Sequence, residues 1–587
     1  MELNASPTQD PLLVKLLNEK KSAREIQERR HSEWDENYRL YRNKVKTNRL
    51  TQRQSVHIPL MKETIKTLLS KIDDAPNVSW SEKSGDELKE LVYEEMWNDF
   101  YKLNKLEWLD VIDKKNVLLY GLSTKFLNIG KKGVRVSVLD TYDVAYDPLM
   151  NPSDIETARF IVRQNIFKPL REILADERYD KEGREQLKVF MLSEKGMAQS
   201  GKNKEEWEKK MERIRSLGVD TNEFPLFAGG DVVVNLTEHY TKVWDTKTKK
   251  FERRVVVYAD DHMKLMDESL KELIGIDLWP FVMWSEDPET NDVYPDGVAD
   301  LVRDPNKLID VWFSQQAENR TLQNFQMYWY DSTIQGYQPQ TYEPGPGRML
   351  PAPGDPNKTL MPVGINGLDE TFNAINFLVN VVERGTGATA IEKGESSEGS
   401  QTLGEVEILV GKATERVVGM QKFYRGSWYS VAKLWDALMQ ANSFGKYSLY
   451  KTGRDGKMYE KVVYDKDWKS EAGYEPDVSS SSEQENEQVK SIQKWGFILQ
   501  QNPNNAVLRK IAQERQLGIL DLTPAELKEV KEEEERMIQE QQQMAMMAQR
   551  QAQVQPQQAQ PQPQQQQPMA PEDITGELEQ LTQLMGA

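Results

Sequence analysis

The chain has 587 residues, 38% hydrophobic and 29% charged, with a formal net charge of -18 and a mean hydropathy of -0.71. Such acidity excludes a protein that coats nucleic acid by neutralising phosphates, and the absence of cysteine excludes disulfides and thiolate metal sites. No apolar run approaches the ~20 residues a bilayer-spanning helix needs, and no basic-then-apolar leader opens the chain, so no signal peptide is expected.

The low hydrophobicity points to disordered parts or to a fold with much hydrated surface, as in ring-like assemblies. The 14 Trp and 22 Tyr indicate that most of the chain folds.

Residues 11–40 predict a charged amphipathic helix carrying Leu12, Leu13, Leu16, Leu17, Ile26 and Trp34. Helical runs follow over 60–72 and 85–119, the second closed by Gly121. The period then changes to two, and 125–129 with 134–139 flank Gly130-Lys131-Lys132-Gly133 as a β-hairpin. Asp143, Asp147 and Pro148 lie in a loop. A strand over 159–167, a helix from Pro169 and a charged helix over 184–217 come next. A second hairpin spans 231–258 and a short buried strand 278–284.

Asp304-Pro305 has the cap-then-proline order of a helix start, and that helix is expected to run to 326. Residues 328–364 are dense in Pro and Gly and predict extended, turn-rich structure. A second helix is expected over 368–384, with Phe372, Ile375, Leu378, Val379 and Val382 on its apolar side. Helix, excursion, helix is the pattern of a stalk with something mounted on its tip.

Residues 385–401 read as a loop of Gly, Ser, Thr and charge holding Glu392, Lys393 and Glu395. Over 402–442 apolar residues recur every three or four positions, from Leu403 to Leu438, and predict one helix of roughly 60 Å. Gly404, Gly411, Gly419 and Gly426 cluster opposite that stripe, compatible with bends or with close approach of another chain. A hairpin over 447–464, a Ser/Glu linker over 477–487, three helices over 489–536 and a Gln-rich tail complete the chain. The apolar end 574–585 has the pattern of a transient helix or docking peptide.

This order resembles the portal proteins of tailed bacteriophages, the short-tailed kind above all, up to about residue 540. Trp34 with Tyr38 and Tyr41, the run Arg53 to Pro59, Tyr120-Gly121, Asp143 through Asp147-Pro148, Pro280-Phe281, Gly297 and Arg303-Asp304-Pro305 carry it. The resemblance implies an α+β portal fold with a wing over 1–290 and a first stem helix in 291–327. The clip is then 328–366, the second stem helix 367–384, the tunnel loop 385–401 and the long wing helix 402–442. A β part of the wing over 443–480, a crown over 481–540 and a tail over 541–587 follow. It further implies a homo-oligomeric ring, usually a dodecamer, at one capsid vertex of the virion, assembled in the host cytoplasm. Its partners would be the major capsid protein, scaffold, terminase, adaptor or tail proteins and double-stranded DNA in transit. Tyr342 and Arg348 are the candidate clip contacts, and Glu392, Lys393 and Glu395 the candidate channel residues. No enzyme activity, cofactor, metal or membrane contact is expected.

Two rivals stand beside this reading. Gly196-Met-Ala-Gln-Ser-Gly201-Lys202-Asn203, after a strand-like 189–192, has the glycine and lysine spacing of a phosphate-binding loop, as a packaging ATPase needs. Asn203 stands where Ser or Thr would hold Mg²⁺. A coiled-coil scaffold or tail protein is the second rival. The histidines His31, His57, His239 and His262 are scattered without zinc-site spacing. His239 reads as a sheet surface residue, and Asp260-Asp261 as a solvated acidic face.

Overall fold

The computed structural model describes residues 11–43, 56–72, 77–130, 133–216, 232–245, 249–324, 328–330, 355, 360–362, 370–388, 403–452 and 458–479, with no side-chain placement over 403–416. The expected crown helices and tail lie outside these residues.

Helix α1 (Pro11–Tyr41) is continuous and buries Leu16, Ala23, Gln27, Trp34 and Leu40. Helix α2 (Leu60–Lys71) and strand β1 (Asn77–Glu82) follow. The run expected as one helix to 119 is two, α3 (Glu87–Asn104) and α4 (Leu106–Tyr120), because Lys105 takes a left-handed φ of 50°. The Asn104 amide helps close the break by donating to Phe100 O and Val134 O.

The first hairpin forms as expected from β2 (Ser123–Gly130) and β3 (Gly133–Leu139). Then come β4 (Val144–Tyr146), β5 (Phe160–Pro169), α5 (Leu170–Ala175), α6 (Lys181–Met191) and α7 (Glu194–Ser216). The single charged helix expected over 184–217 is thus split. The Ser193 hydroxyl marks the break, donating to Phe190 O and accepting from Gly196 N. The stretch 189–192 closes α6 and is not a strand.

Strands β6 (Val233–Asp245) and β7 (Lys250–Ala259) make the second hairpin, and β8 (Met263–Ser269) adds a strand that periodicity did not announce. The result is a five-stranded antiparallel sheet in the order β4-β5-β6-β7-β8. After α8 (Leu270–Ile274), β9 (Phe281–Trp284) joins the first hairpin in the order β3-β2-β9.

Helix α9 (Val298–Asn324) begins six residues before the expected Asp304 start, and Pro305 lies inside it. The start is fixed elsewhere: Asp300 accepts from Gly297 N at 2.9 Å, a carboxylate held at a helix N-terminus. Strands β10 (Tyr328–Tyr330) and β11 (Leu360–Pro362) pair with each other, and α10 (Glu370–Thr386) leads back. Helix α11 (Leu403–Ala441) is the expected long helix. Strands β12 (Lys446–Thr452) and β13 (Met458–Tyr464), helix α12 (Asp465–Trp468) and strand β14 (Tyr474–Ser479) close the described chain. The expected linker therefore starts later than 477, since β14 runs to Ser479 and pairs along the whole of β1.

The fold is α+β. One hydrophobic core joins the first third of the chain to α11 and β14. Its densest part is aromatic: Trp80, Tyr93, Trp97 and Trp435 meet at ring distances of 4.9–5.6 Å. Tyr93 stacks on Tyr474 at 3.9 Å. Along α11, Val417, Met420, Tyr424, Trp428, Val431, Trp435 and Leu438 are all buried, the stripe the spacing predicts.

Candidate functional site

The helical hairpin α9/α10 is the element that the rest of the fold positions. Two contacts fix its antiparallel sense. Phe313 faces Phe372 at 6.2 Å toward the β10/β11 end, while Gly385 lies against Leu301 at the base. Ile309, Ile375 and Val382 are buried between the hairpin and the body. Large apolar side chains nonetheless stay exposed on the hairpin: Leu308 and Val311 on α9 and Phe377 and Val381 on α10 are 39–61% exposed.

Three sets of contacts hold the base. Residues 56–61 run along α9, whose Asn306, Asp310 and Ser314 recur at every fourth position. Met61 N donates to Asn306 Oδ1 at 2.9 Å, Ile58 N to Asp310 Oδ1 at 2.8 Å and Val56 N to Ser314 Oγ at 3.0 Å. Burial raises the Asp310 carboxyl above its ordinary range, with the Ile58 amide and His57 opposing.

Helix α1 supplies the second set. Asp300 gathers Arg30, Asn37, Arg303 and Gly297 N within 2.7–3.2 Å. The third is a close backbone approach. A Cβ on Gly121, whose φ is +78°, would fall 1.9 Å from Pro295 O, and one on Gly297 would fall 2.7 Å from Gly121 N. Trp34 packs edge-on to Tyr120 and Tyr294 beside them. Trp34, His57, Tyr120-Gly121, Gly297 and Arg303, scattered in sequence, thus converge on one place, the base of the hairpin.

The flanks of the 389–402 segment are also tied. Lys71 Nζ donates to Gly387 O at 2.9 Å, while Lys71 O accepts from Gln421 Nε2 at 3.0 Å. One residue at the end of α2 thereby links the end of α10 to α11.

Helix α11 is seated on a buried ionic network. Lys125 Nζ lies 2.5 Å from Asp113 Oδ2 and donates to Ser427 Oγ at 3.1 Å, while Trp284 Nε1 donates to the same Asp113 oxygen at 2.8 Å. The Lys125 ammonium also faces the Trp284 and Trp428 rings at 5.6 and 5.3 Å. Next to it Asp110 binds Lys114 at 2.6 Å and accepts from Tyr424 OH at 2.5 Å. Burial pushes the Asp110 carboxyl up against the pull of Lys114, and pushes the Tyr424 hydroxyl well above its usual range. Helix α4 thus buries Asp110, Asp113 and Lys114 beside Leu106, Val117, Leu118 and Leu119, and leaves Trp108, Val111 and Ile112 exposed. Sequence reading missed this network, since Lys125 counted only as a strand residue.

The candidate channel residues Glu392, Lys393 and Glu395 and the candidate clip residues Tyr342 and Arg348 lie outside the described residues. The phosphate-loop-like run lies in α7, where the backbone follows a helix rather than a loop. Gly196 packs on Phe190 O, Ser200 Oγ accepts from Val233 N, and Asn203 donates to Val233 O and Asp260 Oδ1. This face of α7 therefore serves to pack the helix on the sheet. His239, expected at a sheet surface, is fully buried with Nε2 3.0 Å from Glu19, because α1 covers the sheet there. Asp260 is also no solvated acid, since it accepts from both Asn203 and Asn235 N. Among the described residues no group of three or more acidic, His or Cys side chains is placed to hold a metal, and no helix is long and apolar enough to cross a membrane.

No protein-family model matches the chain, and no curated protein matches it. Among solved structures it is similar to a chain described as "Neck of empty GTA particle computed with C6 symmetry". The identity is 11% and the TM-score 0.32, over 75% of this chain and 86% of that chain. At that score the architecture rests on the described elements themselves.

Proposed function

We propose that the chain is a portal subunit of a tailed bacteriophage, assembling into a ring at one capsid vertex through which the genome is packaged and ejected. The observation that carries this reading is the α9/α10 hairpin. It is anchored at its base by residues that also carry the sequence resemblance, it bears the β10/β11 pair at its far end, and it exposes apolar stripes on both helices. Apolar helix faces of this kind are suited to burial between copies of the chain. In this reading 328–366 form the clip that meets terminase and then adaptor proteins, with Tyr342 and Arg348 in contact. Residues 385–401 form the loop nearest the DNA, where Lys393 makes transient phosphate contacts and Glu392 and Glu395 limit adhesion. The net charge of -18 suits a wall past which DNA slides. The role is that of a passive conduit, with no catalytic residue and no cofactor.

Negative-stain imaging of the purified full chain is the test. Closed rings with an axial hole are expected, about twelve subunits by native mass spectrometry. Monomers that turn over nucleotide, or elongated rods, would overturn the proposal in favour of a packaging motor or a scaffold.

A further inference from the structure

The hairpin of β6 and β7 is longer than the sheet that holds it. On the β5 side the last backbone bond is Lys242 N to Arg159 O at 3.0 Å, and β8 pairs no further than Arg254. Residues 243–245 and 250–252 therefore pair with each other as a two-stranded ribbon beyond both neighbours, with Trp244 directly opposite Phe251. These two rings meet edge to face at 5.1 Å and are 50% and 67% exposed.

The ribbon's base is braced. Lys242 and Arg253, opposite each other on the same face as the aromatic pair, both reach the 156–279 region. Lys242 Nζ donates to Glu156 O at 2.8 Å, and Arg253 pairs with Glu156 at 2.5 Å and with Asp277 at 3.5 Å. Both cations also lie over the Trp279 ring, at 5.7 and 5.2 Å. The base cations are thus occupied in holding the ribbon, while Lys249 and Lys250 near its tip are exposed. Residues 242–253 hold five Lys and Arg against two acids in a chain of net charge -18.

A cross-strand Trp–Phe pair can serve its own ribbon by packing ring against ring. That role accounts for neither the exposure of both rings nor the cationic tip. A braced arm with a large aromatic anchor and a cationic rim has the composition of a protein contact centre, ordered before it binds. Charge complementarity selects the occupant. Subunits of net charge -18 repel one another, and a cationic arm crossing their border offsets that repulsion. We infer that the 242–253 ribbon is an intersubunit arm, its Trp244–Phe251 pair seated on an acidic, partly apolar surface of a second copy of this chain. The inference rests on the ring proposed above.

The experiment compares the full chain with Trp244→Ala/Phe251→Ala and with Lys249→Glu/Lys250→Glu, by native mass spectrometry and mass photometry over a dilution and salt series. All four side chains are exposed, so circular dichroism should match the parent and the melting temperature should change only by the small loss of the cross-strand ring contact. The expected result is a rise of at least tenfold in the concentration at which assemblies half-dissociate, in both variants, with the charge reversal losing the parent's salt dependence. Closed rings of unchanged dilution stability overturn the arm and leave the ring reading intact. Rings that assemble normally but are no longer built into capsids also overturn it, because the ribbon would then bind the shell. Open parent oligomers that fall apart on Trp244→Ala/Phe251→Ala support the arm and sink the closed ring. A monomeric parent sinks both.

Discussion

Lys125 and Asp113 form a 2.5 Å ion pair in which neither side chain is more than 2% exposed. A buried pair contributes little relative to apolar residues, but losing one partner leaves an uncompensated charge. Lys125→Met should therefore lower stability by about 3–5 kcal/mol. Adding Asp113→Leu should recover most of that loss. Urea unfolding of the two variants checks both expectations.

The glycines of the long helix and of the stem base should respond in opposite senses. A Cβ at Gly419 or Gly426 meets nothing within 4 Å, so Gly→Ala at each should stabilise the subunit by about 0.5–1 kcal/mol through helix propensity. Gly121→Ala meets Pro295 O and a positive φ, and should destabilise markedly. Melting temperatures separate the cases. A Gly419→Ala chain that is more stable yet fails to assemble would put a neighbouring subunit against that face.

Acidification should loosen α1. Burial holds the His239 imidazole below its ordinary value, with Glu19 opposing and Lys15 and Lys20 adding to the depression. The unfolded chain then takes up a proton more readily than the folded one. This group's contribution is present above about pH 6.5 and is lost as pH falls toward the lower folded value. His239→Gln, which can still donate to Glu19, should flatten the melting temperature between pH 7 and 5 relative to the parent.

The outer face of α10 offers a test of assembly separate from folding. Phe377 is 61% exposed, so Phe377→Asp should leave the subunit's melting temperature within about 1–2 °C while abolishing rings under electron microscopy. Rings that persist would remove this stripe from the interface.

For the segments assigned to channel and clip, deletion of 391–399 should leave rings intact, since Lys71 still ties the flanks, but reduce DNA retention in packaged particles. Tyr342→Ala/Arg348→Ala should impair terminase or adaptor binding in pull-down without loss of rings. Normal retention and normal docking would withdraw these assignments.

Local patterns carried most of the fold. The period-two hairpins at 125–139 and 231–258 and the stripe from Val417 to Leu438 were visible because each is specified by near neighbours. What escaped reading depends on distant partners. Strand β8 is held by its pairing with β7 rather than by its own composition, and β1 by a strand near the end of the described chain. Pro305 invited a helix start that Asp300 and Gly297 set earlier. Lys125 and His239 were buried by elements outside their own strands, the preceding α4 and the distant α11 for one and α1 for the other. No periodicity in their own strands encodes that.

The pairing of β1 with β14, sealed by the Tyr93–Tyr474 stack, also bears on synthesis. About 400 residues separate the two strands, so at ~5–20 residues per second β1 leaves the ribosome on the order of 20–80 s before its partner exists. Through that interval its backbone edge and the Trp80 and Tyr93 surfaces have no native cover, a state open to pairing with other nascent chains. Host chaperone supply and expression temperature should therefore govern the yield of soluble subunit more strongly than the stability of the finished fold does.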